Sequence, residues 1–296
     1  MANLKEIRTR INSVKSTRKI TNAMKMVAAS KLKKAQDAVI NLRPYEGKLQ
    51  EILYSLVQSF EEEEISSGYL RNGKEEKVLL VIVTSNKGLC GAFNSNIIKK
   101  GLDLATSRYA DQYKNGNLSY FTIGKKATDF FREKGYPVYD YKNDILEDMS
   151  FENAVPFITQ VMDAFINREF DKIEIVYNKF KNAAVQLLTV DQFLPVELEH
   201  GDREEASEKH YIYIYEPSRE YIIQELIPKS LKIHFYEALL ESLAAEHGAR
   251  MTAMHKATDN ATEIIKDLQL TYNKARQASI TSEILEVVSG AEALRE

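Results

Sequence analysis

At 296 residues and 44% hydrophobic content the chain can bury a core of its own, and its one cysteine, Cys90, excludes an internal disulfide or thiol switch and fits a reducing compartment. A formal net charge of −3 excludes a global pull toward nucleic acid, although residues 1–43 hold eleven Lys or Arg against only Glu6 and Asp37. The longest strongly apolar run, Val78 to Val83, falls far short of the ~20 residues that span a bilayer, and the polar start is read as mature structure rather than a targeting segment.

The N-terminal segment places Ile7, Ile11, Val14, Arg18, Thr21, Lys25, Ala28, Leu32, Ala35, Val39 and Leu42 at alternating steps of four and three, a heptad seam. Pro44 and Gly47 interrupt the pattern, which resumes from Leu49 to Phe60, so the helix is expected to bend or restart there. Its basic face has three ordinary readings: a solvated helix, a surface for an acidic partner, or a binder of anionic lipid or nucleic acid. Small residues near Lys19, Lys25, Lys31, Lys33 and Lys34 favour the acidic protein partner. A polar stretch, Glu61 to Gly73, closes the segment.

Strand and helix patterns then alternate. Strands are expected at Val78 to Thr84, Leu118 to Ile123, Val138 to Tyr141 and Lys172 to Tyr177, with helices at Asn96 to Tyr113, Lys125 to Lys134 and Phe151 to Asn167. This order predicts a mainly parallel sheet covered on both faces. Val185 to Val190 follows its predecessor too closely for a crossover and is expected to pair antiparallel at an edge. Tyr211 to Tyr215 alternates like a further strand.

Pro228 is the last proline, so an unbroken helix is expected from Lys229 to about Val288, roughly 90 Å at ~1.5 Å per residue. Its seam reads Tyr236, Leu240, Leu243, His247, Arg250, Met254, Ala257, Ala261, Ile264, Leu268, Thr271, Ala275, Ala278, Ser282 and Leu285. Both seams are polar or small in the middle, which a self-sufficient coiled coil would not be, and an enclosing partner is inferred.

Chemistry has little to stand on. The loop Ser85 to Asn94 follows a strand and carries Gly88 and Gly91, but it lacks both G-x-x-x-x-G-K-S/T and G-x-G-x-x-G, and a tight strand-to-helix turn accounts for its glycines. Cys90 has no activating base placed by sequence and reads as packing. His247 and His255, eight apart, make no metal spacing and read as a helix-face pair. Tyr213 and Tyr215 share one face of a strand, as ordinary packing or protein contact also requires.

The stretches Ile11 to Lys31, Thr84 to Asn94, Glu246 to Met254, Ala257 to Ala261 and Tyr272 to Thr281 resemble the gamma subunit of F-type ATP synthase, and together they cover essentially the whole chain. Departures are small: Gly248 stands where alanine is usual, at a cost of ~1 kcal/mol of helix propensity, and Asn86-Lys87 where an acid-basic pair is common. The resemblance implies an α/β fold with a long antiparallel coiled coil of the end helices plus a Rossmann-like domain with a mainly parallel sheet. It divides the chain into a shaft helix over 1–60, a body over 74–216 and a shaft helix over 229–296.

It further implies a non-catalytic rotor without cofactor or metal, one copy per complex, inside a ring of alpha and beta subunits, with epsilon and the membrane c-ring at its foot. Lys19, Met24, Arg250, Arg276, Gln277, Thr281 and Glu283 match positions expected to face the ring. Tyr213, Tyr215 and Glu216 match the segment expected to meet the c-ring. A peripheral place on the cytoplasmic face of a bacterial inner membrane is expected, with no nucleic-acid role. Two rival readings stand beside it: an enzyme using the Gly88 to Gly91 loop, and a basic coiled-coil adaptor for membrane or nucleic acid.

Overall fold

A computed structural model describes residues 4–57, 68–71, 74–196, 216 and 218–293. The chain forms two compact units, one of residues 1–29 with 250–296 and one of residues 30–249. Its first element, α1, runs from Leu4 to Val57, and its last, α6, from Arg219 to Ala293.

Between them, in the larger unit, come β1 (Val78–Val83), α2 (Phe93–Thr106), α3 (Ala110–Lys114), β2 (Leu118–Ile123) and α4 (Lys125–Glu133). β3 (Val138–Lys142), α5 (Phe151–Ile166), β4 (Lys172–Phe180) and β5 (Gln186–Leu194) follow. The sheet order is β3-β2-β1-β4-β5, parallel except where β5 pairs antiparallel with β4 at the edge. Asn182 makes that hairpin: its side-chain Oδ1 accepts from the N–H groups of Ala184 and Val185 at 3.0 and 2.8 Å, an Asx turn.

Every residue of β1 is fully buried, because the strand lies at the centre of the sheet with helices on both faces. One core joins Leu79, Val81 and Phe121 to α5 and to Ile227, Leu231, Phe235 and Leu239 of α6. The other joins Leu80, Ile82 and Ile97 to Phe131 of α4 and to Ala245 and Ala249. The expected helix over Asn96 to Tyr113 divides into α2 and α3, since Tyr109 turns inward to near-complete burial and its N–H bonds back to the Leu104 carbonyl at 2.9 Å.

Neither proline ends its helix. Pro44 sits within α1, and Pro228 within α6, which begins at Arg219, ten residues before the expected start at Lys229. A proline inside a helix costs ~3 kcal/mol, and tertiary contacts on both sides outweigh it here. Ile227 and Leu231 flank Pro228 in the core. Beside Pro44, Arg43 Nη2 donates to Glu241 Oε1 at 2.6 Å, and the buried Glu241 also accepts the Phe180 N–H through Oε2 at 2.9 Å.

Gly248 has a reason that helix propensity does not show. A Cβ there would lie 3.2 Å from Ala183 Cα in the β4–β5 turn, so its absence lets the turn seat against α6. One further helix contact is unusual electrostatically. Burial, and then the adjoining Glu46, push the Glu237 carboxyl up to about 7.

Candidate interaction surface

In the smaller unit, residues 4–29 of α1 and 250–293 of α6 each turn one stripe inward. All eleven expected seam positions of α1 are buried or half-buried, including the polar Arg18, Thr21 and Lys25. On α6 the stripe departs from the expected one. Ala257 and Thr258 are both half-buried, after which the inward residues are Ala261, Ile265, Leu268, Tyr272, Ala275, Ser279 and Ser282. The expected Ala261, Leu268, Ala275 and Ser282 stay inward, while the alternate positions move one residue on, as where Ile265 is 5% exposed and its neighbour Ile264 45% exposed. The expected Thr271, Ala278 and Leu285 therefore point outward. Adjacent isoleucines satisfied either register by composition, and the Thr258 hydroxyl, which donates to Thr21 Oγ1 at 2.8 Å, marks the one adopted.

The outward face is unusual for a helix pair in water. Ile20, Met26 and Val27 are exposed on α1, and Ile280, Ile284, Val287 and Val288 are exposed on α6. The last four fall at i, i+4, i+7 and i+8, so they form one stripe along the helix. These apolar residues are the part of the surface that the seam analysis missed; their signal was an apolar type lying off the seam. Among the positions named from the resemblance, Lys19, Arg276, Gln277, Thr281 and Glu283 are exposed, while Met24 and Arg250 are half-buried. The Thr281 hydroxyl donates to the Gln277 carbonyl at 2.9 Å, and Glu283 accepts from Ser279 at 3.4 Å, leaving both side chains seated on their own helix. Glu216 is exposed, and Tyr213 and Tyr215, with the strand expected over Tyr211 to Tyr215, lie outside the described residues.

The larger unit has the crevice in which doubly wound sheets usually bind ligands, at the carboxyl end of β1 where the strand order reverses. On its β2 and β3 side the loop that follows β1 is braced by hydrogen bonds to the loops that follow those strands. Thr84 Oγ1 accepts the Ala127 N–H, and Asn86 accepts the Lys125 N–H and donates to the Asn143 carbonyl, each at 2.9 Å. Asn94 accepts the Ser85 N–H at 2.9 Å and approaches Cys90 Sγ at 3.2 Å, so Cys90 is packing inside a braced turn. Leu89 and Gly91 both take left-handed φ, +62° and +63°, which makes the chain double back over these groups. Gly124 presses the next loop against it: at φ +96° it comes so close to Thr84 that a Cβ would overlap the Thr84 carbonyl. The histidines separate, His247 buried and His255 exposed at 3.2 Å from Asp259.

The helix pair of the smaller unit thus carries an apolar outer stripe, a surface suited to contact with a partner. Comparison with known proteins agrees. The sequence pattern of the ATP synthase family matches residues 3–294. The ATP synthase gamma chain of Christiangramia forsetii is 52% identical over 294 residues, covering 99% of each chain, and that of Flavobacterium johnsoniae is equally similar. A chain of the central stalk and c-ring structure of Tetrahymena thermophila mitochondrial ATP synthase superposes with a TM-score of 0.58 at 25% identity, over 80% of this chain and 99% of that one. A chain of the Euglena gracilis mitochondrial OSCP/F1/c-ring assembly shares the fold at a TM-score of 0.65 and 22% identity, over 98% and 94%. The chain belongs to the gamma-chain family of ATP synthases.

Proposed function

We propose that this chain is the central rotor of a proton-translocating F-type ATP synthase, coupling rotation of a membrane c-ring to ATP synthesis or hydrolysis in the beta subunits without performing the chemistry itself. The observation that carries this reading is the exposed apolar stripe Ile280, Ile284, Val287 and Val288 on a helix already paired through its other face. Such a stripe is costly in water and is expected to be enclosed by a partner. In this reading residues 1–60 and 229–296 make the shaft and residues 74–216 the body beside epsilon and the c-ring. Lys19, Met24, Arg250, Arg276, Gln277, Thr281 and Glu283 contact the alpha and beta ring, and Tyr213, Tyr215 and Glu216 contact the foot partners.

The coupling is a linkage. A shaft that touches the catalytic subunits unequally stabilises a different set of open and closed states at each angle, and nucleotide binding biases the angle in return. Shifting a two-state equilibrium from 1:99 to 99:1 takes ~5.5 kcal/mol of differential contact, which many modest contacts supply better than one surface ion pair. Among the described residues no helix is long and apolar enough to cross a membrane, which fits a peripheral place on the cytoplasmic face of a bacterial inner membrane.

Steady-state ATP hydrolysis tests the reading. Alpha and beta subunits mixed with this chain are expected to turn over faster than without it, and the chain alone not at all. Turnover by the isolated chain, or no effect in a competent mixture, would overturn it.

A further inference from the structure

We propose that Glu46 of α1 and His234 and Glu237 of α6 form a binding site for a divalent transition-metal ion of the zinc class. One ligand atom from each lies within 4.8 Å of the other two, and His234 Nδ1 stands 3.5 Å from Glu46 Oε1. A tetrahedral ion with ligand bonds of 2.0–2.2 Å sets its donors about 3.4 Å apart, so one pair is already at that span and the third needs to close by little more than an ångström.

The placement is that of a built site rather than a chance surface cluster. His234 and Glu237 are three apart on α6 and therefore on one face, and Glu46 reaches them from the facing helix, the arrangement by which helix bundles assemble carboxylate and imidazole ligands. All three are half-buried, so their helices support them while the site stays within reach of an ion from solvent. The imidazole selects the ion: nitrogen with two carboxylates suits zinc, cobalt or nickel, whereas magnesium and calcium prefer all-oxygen sets.

The surrounding charges are mixed. Arg43 directs its short bond to Glu241 at 2.6 Å and comes only to 4.0 Å of Glu237, Lys179 of β4 acts on Glu46, and Asp191 of β5 acts on His234. The site thus has two nearby cations to tolerate and two further carboxylates, Asp191 and the Arg43-bound Glu241, near its ligands. An ion here would join α1 to α6 beside Pro44, where the α1 helix lacks one backbone hydrogen bond. Its role would be structural.

Cobalt(II) titration of the full-length, tag-free, EDTA-treated chain tests this by the visible absorption of the bound ion, with zinc competition and thermal melting alongside. A His255→Ala background removes the exposed His255 and Asp259 pair as a rival donor set. One cobalt ion per chain is expected, displaced by zinc, with a higher melting temperature. Glu46→Gln and His234→Gln should each weaken binding by about tenfold or more, with far-UV circular dichroism confirming intact helix and Glu237→Gln standing in for a variant that loses it. No visible cobalt spectrum in the parent, or a spectrum and affinity unchanged by the substitutions, would overturn the proposal.

Discussion

Thr258 Oγ1 donates to Thr21 Oγ1 at 2.8 Å while also reaching the Met254 carbonyl at 2.8 Å, so a polar pair closes the seam of the smaller unit. Thr258→Val keeps the shape and removes the hydroxyl. It should cost about 1 kcal/mol, read as faster amide hydrogen exchange around Thr21 with the body unchanged. Equal exchange in the two proteins would mean the bond contributes nothing.

Glu241 is a stronger test of what holds α1, α6 and β4 together. Its two oxygens take the Arg43 guanidinium and the Phe180 N–H, and the carboxylate is buried. Glu241→Ala leaves the amide without a partner and should cost about 3 kcal/mol. Glu241→Gln, which retains an oxygen for that amide, should cost less. Urea unfolding followed by circular dichroism separates the two.

A methyl group at residue 124 has nowhere to go. Because φ is +96° and the Thr84 carbonyl occupies the position of a Cβ, Gly124→Ala should destabilise the body by more than about 2 kcal/mol. Soluble expression with an unchanged melting temperature would refute this account of the Gly124 and Thr84 contact.

Contacts in the smaller unit should share the coupling energy unequally. Lys19 is exposed, and Lys19→Ala in the assembled complex should change the ATP-driven rotation rate by less than about twofold, as expected of one surface charge. Replacing Ile280, Ile284 and Val287 together with serine removes three exposed apolar side chains and should lower ATP synthesis by about tenfold or more. Single-molecule rotation and synthesis assays measure the two. Complete loss from Lys19→Ala would exclude a distributed coupling.

The sequence was a good guide wherever one pattern decided one element. The β1 run from Val78 to Val83 was legible as a doubly covered strand because every position is apolar, and the α1 seam because its apolar residues leave a single phase open. Failure came where two neighbours competed or where distant chain supplied the reason. Ile264 and Ile265 are chemically identical, so only packing could choose between them. Pro44 looked like a bend or restart and Pro228 like the limit of its helix because their compensating contacts, Glu241 for one and the core around Leu231 for the other, are not local. Gly248 looked like a weak point until the Ala183 turn explained it. The outward apolar stripe was visible as residues, but its exposure was not.

The shift of register at Thr258 has a mechanical meaning. From Arg250 the inward residues step by four to Met254 and by four again to Thr258 before the usual alternation resumes. Steps of four without an intervening three are what a stutter consists of, and a stutter locally unwinds a left-handed supercoil toward parallel rods; here Ala257 and Thr258 are both half-buried, so the two phases overlap at this turn. Torsional strain delivered along the pair therefore meets, beside the threonine bond, a turn at which two faces of α6 are equally ready to pack inward.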